Sequence, residues 1–383
     1  MYFNYRGFLK ALRLALFGQP FSLRRWIYIL SFTTLFIGFT LIILITRWID
    51  ELFWRNLNQV PIEQPVFIIA PPRSGTSYLQ KLLSDDHERF LFWKMYQTIF
   101  PSILVQRIVD RLADIDTRFG RPIEGLLDWC EQRWFGGWDN LHTMRLDQPE
   151  EDGALYLYAF ACEAVYMLVP FIDELWEVGF VDSLPKEDRR KLMAYYRSCL
   201  QRHIVANGNS RSLLIKSTNS AGAVESLLEE FPDAKFITIV RHPSQSIPSS
   251  ISLMLPALKT HSPEILKDGP ASKAYAKLSA EWFKHLYNFR SLVPKDQFYS
   301  IDFRALRHEP AKTIKALYKH FGWTMSEDYS VKLNELNKEQ KKFKSKHAYS
   351  LEEFGLTKEW VRHELGHIID DLGLETTQAP VID

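Results

Sequence analysis

Three stretches of this 383-residue chain place cations and hydroxyls where the chain turns out of an apolar run. The first, Pro72-Arg73-Ser74-Gly75-Thr76-Ser77, follows Val66-Phe67-Ile68-Ile69 and opens a helical pattern with Tyr78, Leu79, Leu82 and Leu83 on one side. Pro71 and Pro72 forbid strand continuation and Gly75 allows a tight turn. Free N–H groups at a helix start, together with Arg73, suit a phosphate. The second is Lys216-Ser217-Thr218, after Leu213-Leu214-Ile215. The third is Arg241, after Lys235 to Val240, with Ser249 and Ser250 in the element that follows. An arginine fork and short serine donors can converge on one anion. An acidic cluster, Gln148-Pro149-Glu150-Glu151-Asp152, stands just before the helical pattern Ala154 to Val165. Acids at a helix start are ordinary capping chemistry. In a chain otherwise arranged for anions, one of them is also a candidate general base.

These stretches need a frame that brings them to one edge. Val66 to Ile69, Leu213 to Ile215, Lys235 to Val240 and Gln297 to Asp302 are short apolar runs that read as buried strands. Helical patterns over Glu187 to Val205, Gly222 to Phe231, Ser272 to Val293 and Pro310 to Phe321 alternate with them. That alternation predicts a parallel α/β sheet with right-handed crossovers, whose ligands bind at the carboxyl ends of the strands. Trp93, Tyr96 and Phe100 read as core or as a wall of an acceptor cleft, and the aromatic stretch Ile123 to Trp138 could stack on a sugar or line an apolar pocket. Ala257 to Pro270 reads as a loop able to cover the site. The basic run Lys338 to Lys346 reads as a solvated face or, through Lys346, as a further ligand contact.

Ile27 to Thr46 carries no charge and as a helix would be about 30 Å long, enough to cross a bilayer core. Arg24, Arg25 and Trp26 precede it, and Arg47 and Trp48 follow, as snorkelling and interfacial groups. The chain therefore divides into a basic segment (1–26), an anchor (27–46), a linker (47–64) and one large domain (65–383). The lysine and arginine bias favours a single-pass type II anchor, in the inner membrane of a bacterium or a Golgi-like membrane of a eukaryote. A monotopic anchor, with Phe8 to Phe17 as an amphipathic companion helix, is the alternative. A cleaved signal peptide is disfavoured by the length of the run and the lack of a small-residue cleavage site.

A net charge of +1 gives no field that argues for nucleic acid. Cys130, Cys162 and Cys199 are widely spaced, so neither a zinc cluster nor a disulfide framework is encoded. There is no Asn-x-Ser/Thr sequon. Arg73 before Gly75, with no earlier glycine and no lysine after it, departs from a Walker A loop and disfavours a P-loop kinase.

Together the three loops resemble the sulfotransferase family, in particular its bacterial-type branch, whose C-terminal motif is similar to His347-Ala348-Tyr349-Ser350-Leu351-Glu352-Glu353-Phe354-Gly355. The resemblance runs from about Val66 to about Gly366. It implies a P-loop-NTPase-like three-layer parallel sheet and a 3'-phosphoadenylyl sulfate (PAPS) donor. It also implies no metal and a hydroxyl or amine acceptor on a carbohydrate or lipid. Pro72 to Ser77 would then hold the 5'-phosphosulfate, and Arg241 with Ser249, eight residues on, the 3'-phosphate. Arg73 and Lys216 would offset charge on the bridging oxygen. The histidine that follows the lysine in cytosolic members is absent from Lys216-Ser217-Thr218. The K-S-P pattern of the bacterial-type branch is not kept either. That shifts the base to the acidic motif, to Glu151 ahead of Glu150, with His142 the remaining imidazole nearby. Where the branch tends to have Trp-Glu, this chain has Trp93-Lys94. A membrane-bound scaffold that kept the fold and lost the base is the competing reading.

Overall fold

Five short strands rich in Val, Ile, Leu and Phe pair in parallel: β1 (Val66–Ile69), β2 (Phe90–Phe92), β3 (Ser212–Lys216), β4 (Lys235–Val240) and β5 (Phe298–Asp302), in the order β2-β3-β1-β4-β5. The computed structural model describes residues 1–135, 145–208, 210–217, 219–340 and 349–375. Both faces of the central strand are covered, which is why β1 reads as an unbroken apolar run. Phe67 and Ile69 enter the larger core on one side of the sheet. Val66 and Ile68 meet Leu79, Leu82, Leu83, Ile314 and Leu317 on the other. Val66 pairs with Leu214 and Lys235, a register that brings the chain after Ile69, Lys216 and Val240 to one edge. β2 has no counterpart among the apolar runs read as strands, because three residues are too few to show a period.

The segment after β4 is a helix that takes in the first residues of 257–270, the stretch expected to be a loop able to cover the site. Pro243–His261 is one helix that runs through Pro248 and Pro256. Pro243 sits in the first turn, where no N–H is needed, and His242 Nδ1 accepts from the Ser244 N–H at 3.2 Å. Burial of Ile247, Ile251, Met254, Leu255 and Leu258 holds the helix through its interior prolines.

At the N-terminus α1 (Tyr5–Phe17) and α2 (Leu23–Phe53) form a hairpin. α2 is long and apolar enough to cross a membrane by length and composition. It does not end at Thr46 but continues through the first residues read as linker. Nor do Arg25 and Arg47 snorkel: both are buried against the domain. Arg25 pairs with Glu264 at 2.9 Å, and Arg47 donates to Ser198 Oγ at 2.5 Å. Asp50, fully buried, accepts from the Ile103 and Leu104 N–H groups at 2.9 and 3.0 Å and lies 3.3 Å from Arg202 Nε. It thereby caps the helix Ile103–Arg118.

Candidate active site

The chain leaves β1 through 70–75 and enters α3 (Thr76–Ser84). Gly75 has φ +101°, and a Cβ there would meet the Phe303 ring at 2.8 Å, so only glycine fits. Arg73 adopts φ +65°, an uncommon conformation for a non-glycine residue that the surrounding contacts hold in place. Its Nε donates to Ser249 Oγ at 3.2 Å, and its carbonyl accepts from Arg241 Nη1 at 2.8 Å. Ser250 Oγ donates to the Pro72 carbonyl at 3.0 Å, completing the link between the turn and the helix after β4. The Ser74 hydroxyl is buried and has no hydrogen-bond partner among the described residues. Such a group costs about 1–3 kcal/mol unless a ligand satisfies it.

Lys216, buried at the end of β3, donates from Nζ to Ser77 Oγ at 2.9 Å. Glu151 Oε2 lies 3.2 Å from the same nitrogen and Glu150 Oε1 lies 4.0 Å away. The acidic loop is held on three sides. The Glu150 N–H donates to the Trp93 carbonyl at 2.9 Å, Gln80 Nε2 to the Glu150 carbonyl at 3.0 Å, and the Asp152 N–H to the Lys216 carbonyl at 3.1 Å. An antiparallel bridge joins Lys94 to Pro149. Glu150 Oε1 accepts the Glu151 N–H at 2.9 Å, and its side chain is 12% exposed against 31% for Glu151. Glu151 is thus the more exposed of the two carboxylates and the nearer to Lys216.

Sequence reasoning did not single out Asp152. It stands at the helix N-terminus but makes no side-chain cap. Its Oδ2 instead accepts Tyr196 and Ser217 hydroxyls, each at 2.6 Å. Burial pushes this carboxyl up to about 7, and the Ser217 and Tyr196 hydrogen bonds oppose the shift. No local signal marks it, because Tyr196 lies on the distant helix Lys186–Asn207.

Arg241 lies 4.6 Å from the Phe303 ring centroid. Burial, with the neighbouring Arg73 and Arg307 charges, lowers it to about 10. It borders a cleft of about 510 Å³ that Arg304, Arg307, Lys358 and Arg362 also line. The structure therefore brings Arg73, Ser77, Glu150, Glu151, Lys216, Arg241 and Ser249 to the carboxyl edge of the sheet. Lys346, His142 and Thr218 lie outside the described residues. Trp93 is core: it is 1% exposed and stacks on buried His203 with centroids 3.8 Å apart. Burial lowers His203 to about 3, so it is neutral. Among the described residues no group of three or more His, Cys, Asp or Glu could hold a metal.

A parallel α/β sheet with this edge is a sulfotransferase-like fold. Two mycobacterial sulfotransferase structures share it. STF1 of Mycobacterium tuberculosis superposes with a TM-score of 0.70 at 20% identity, over 95% of this chain and 92% of that one. STF9 of Mycobacterium avium gives 0.69 at 16% identity, over 87% and 83%. The model of the Sulfotransferase family matches residues 65–327. The chain belongs to that family and is a PAPS-dependent sulfotransferase. It is also 25% identical, over 336 residues, to the omega-hydroxy-beta-dihydromenaquinone-9 sulfotransferase Stf3 of Mycobacterium bovis and of Mycobacterium tuberculosis. That match spans 86% of this chain and 80% of theirs.

Proposed function

We propose that the chain transfers a sulfuryl group from PAPS to a hydroxyl on a lipid, with Glu151 as the base. The observation that carries the reading is the meeting of Glu151, Lys216 and Ser77 beside a basic turn fastened to Arg241. A hidden donor at Ser74, a cradle at Gly75 that a Cβ would fill, and crowded cations at Arg73 and Arg241 all fit a polyanionic nucleotide. In this account Pro72 to Ser77 grip the phosphosulfate end. Arg241 and Ser249, with Lys346 as a further contact, grip the 3'-phosphate.

When bound, the donor supplies a sulfuryl group already activated by its anhydride to phosphate. Glu151 takes the proton of the acceptor hydroxyl as its oxygen attacks sulfur. Lys216 and Arg73 offset the charge gathering on the bridging oxygen as its bond to sulfur breaks and adenosine 3',5'-bisphosphate leaves. Glu150 supports the loop through its own hydrogen bonds to Glu151 and Trp93.

Two observations support a lipid acceptor. The Stf3 relatives are named for a hydroxylated menaquinone. The acidic loop bridges to Lys94, at the start of a segment whose Phe100 packs against Phe39 of the apolar α2, with centroids 6.1 Å apart. Radiolabelled PAPS incubated with lipid and glycan extracts tests the reading. Label in a lipid product supports it, label only in glycans contradicts the lipid assignment, and donor binding without any transfer contradicts the enzyme reading.

A further inference from the structure

We propose that the outer faces of α1 and α2 dock on an anionic lipid bilayer, holding the chain at one membrane surface without crossing it. The inner seam of α2, from Arg25 through Ile29, Phe36, Ile43 and Arg47 to Asp50, is buried along its length. Charge fixes both ends, Arg25 to Glu264 and Asp50 to the start of Ile103–Arg118. Midway, Phe36 stacks on Tyr158 of the domain with centroids 6.3 Å apart. A helix clamped at both ends and in the middle cannot span a bilayer unless the domain enters it too.

Another side of α2 is an exposed stripe of Ile27, Leu30, Ile37, Leu41, Leu44 and Trp48, at helical spacings of three, four or seven residues. The Thr34, Thr40 and Thr46 hydroxyls return to the carbonyls of Leu30, Phe36 and Ile42, so they need no water. α1 adds exposed Leu9 and Phe17 to the hairpin's apolar surface. Charge selects the occupant. The first 49 residues hold six cations and no carboxylate, and Arg6, Arg13 and Arg24 are exposed on these two helices. Anionic headgroups complement that surface, whereas a symmetric second copy would bring the cations against each other.

The test uses the full chain. Flotation with phosphatidylcholine vesicles should be weak and should rise strongly when phosphatidylglycerol is included. With an N-terminal epitope tag in sealed vesicles, external protease should remove tag and domain together. The triple variant Leu30→Glu, Ile37→Glu, Leu44→Glu alters side chains that face away from the domain. It should keep its circular dichroism and its binding of adenosine 3',5'-bisphosphate while its floated fraction falls to background. A tag protected while the domain is digested overturns the proposal, as does failure of the wild-type chain to float. So does a folded variant that floats unchanged. The first two measurements use the wild-type sequence, so they decide even if the variant misfolds.

Discussion

The Lys216 ammonium lies 3.2 Å from the Glu151 carboxylate while donating to Ser77 at 2.9 Å. One buried cation thereby joins the acidic loop to the first turn of α3. In the proposed mechanism the carboxylate receives the proton on one side of this lysine, and the lysine faces the developing negative charge on the other. In that mechanism the pairing also accounts for a strand end reading Lys216-Ser217 with no following histidine. The carboxylate arrives from a separate loop, tied to the same strand through the Asp152 N–H.

Arg241 holds the Arg73 carbonyl and faces the basic cleft, so its loss should affect donor binding most. Charge-assisted hydrogen bonds contribute about 1.5–3 kcal/mol, so Arg241→Ala should weaken adenosine 3',5'-bisphosphate binding by roughly 10- to 100-fold. Arg241→Lys should recover little, because lysine lacks the fork. Titration calorimetry measures both. Unchanged affinity in Arg241→Ala would remove it from the nucleotide site.

Asp152 should make stability depend on pH. Burial pushes its folded carboxyl up to about 7 from an ordinary 3.8, so between those values the folded chain binds a proton that the unfolded chain has released. This group's contribution is therefore most favourable below the lower value, and it is lost as pH rises to the higher one. Relative to Asp152→Asn, the wild type should lose on the order of a few kcal/mol between about pH 4 and pH 8. Urea melts of both proteins across that range read the difference, and parallel curves would contradict it.

Gly75→Ala combines a left-handed backbone with a contact at 2.8 Å from the Phe303 ring. It should cost about 1–3 kcal/mol and distort the turn that Arg73 closes. Chemical denaturation together with bisphosphate titration should show both losses. A stable variant with full affinity would show that the turn tolerates a side chain.

Asp50→Ala would leave Arg202 and the first turn of Ile103–Arg118 without their buried carboxylate. Breaking a buried pair costs about 3–5 kcal/mol. Thermal melts should show a large loss, and a chain starting after Phe53 should fail to give a stable domain. A well-folded truncated domain would mean that α2 is dispensable to the fold.

The strand-turn-helix at Val66 to Ser84 was legible because buried parallel strands are unbroken apolar runs and the turn carries its own glycine, prolines and cation. Arg241 and Ser249 stood out because one ends an apolar strand and the other lies in the element that follows, and the structure brings both against Arg73. The intervening geometry was not legible. Pro248 and Pro256 lie inside a helix that only tertiary packing sustains, so local proline rules mislead there. Arg47 follows an apolar run and looks like a snorkelling group, and nothing local marks Asp50 beside it. Their burial depends on Ser198, Arg202 and Ile103, more than fifty residues away in the chain. Asp152 looks like a cap, and only the fold reveals Tyr196 and Ser217 around it.

Single-turnover transfer by Glu151→Gln tests the central claim most directly, with bisphosphate affinity measured on the same preparation. General-base catalysis contributes roughly 10²- to 10⁴-fold, so the rate should fall by that order while affinity stays near wild type. Glu150→Gln, made alongside, should lose far less. Wild-type turnover by Glu151→Gln, with affinity intact, would contradict the account.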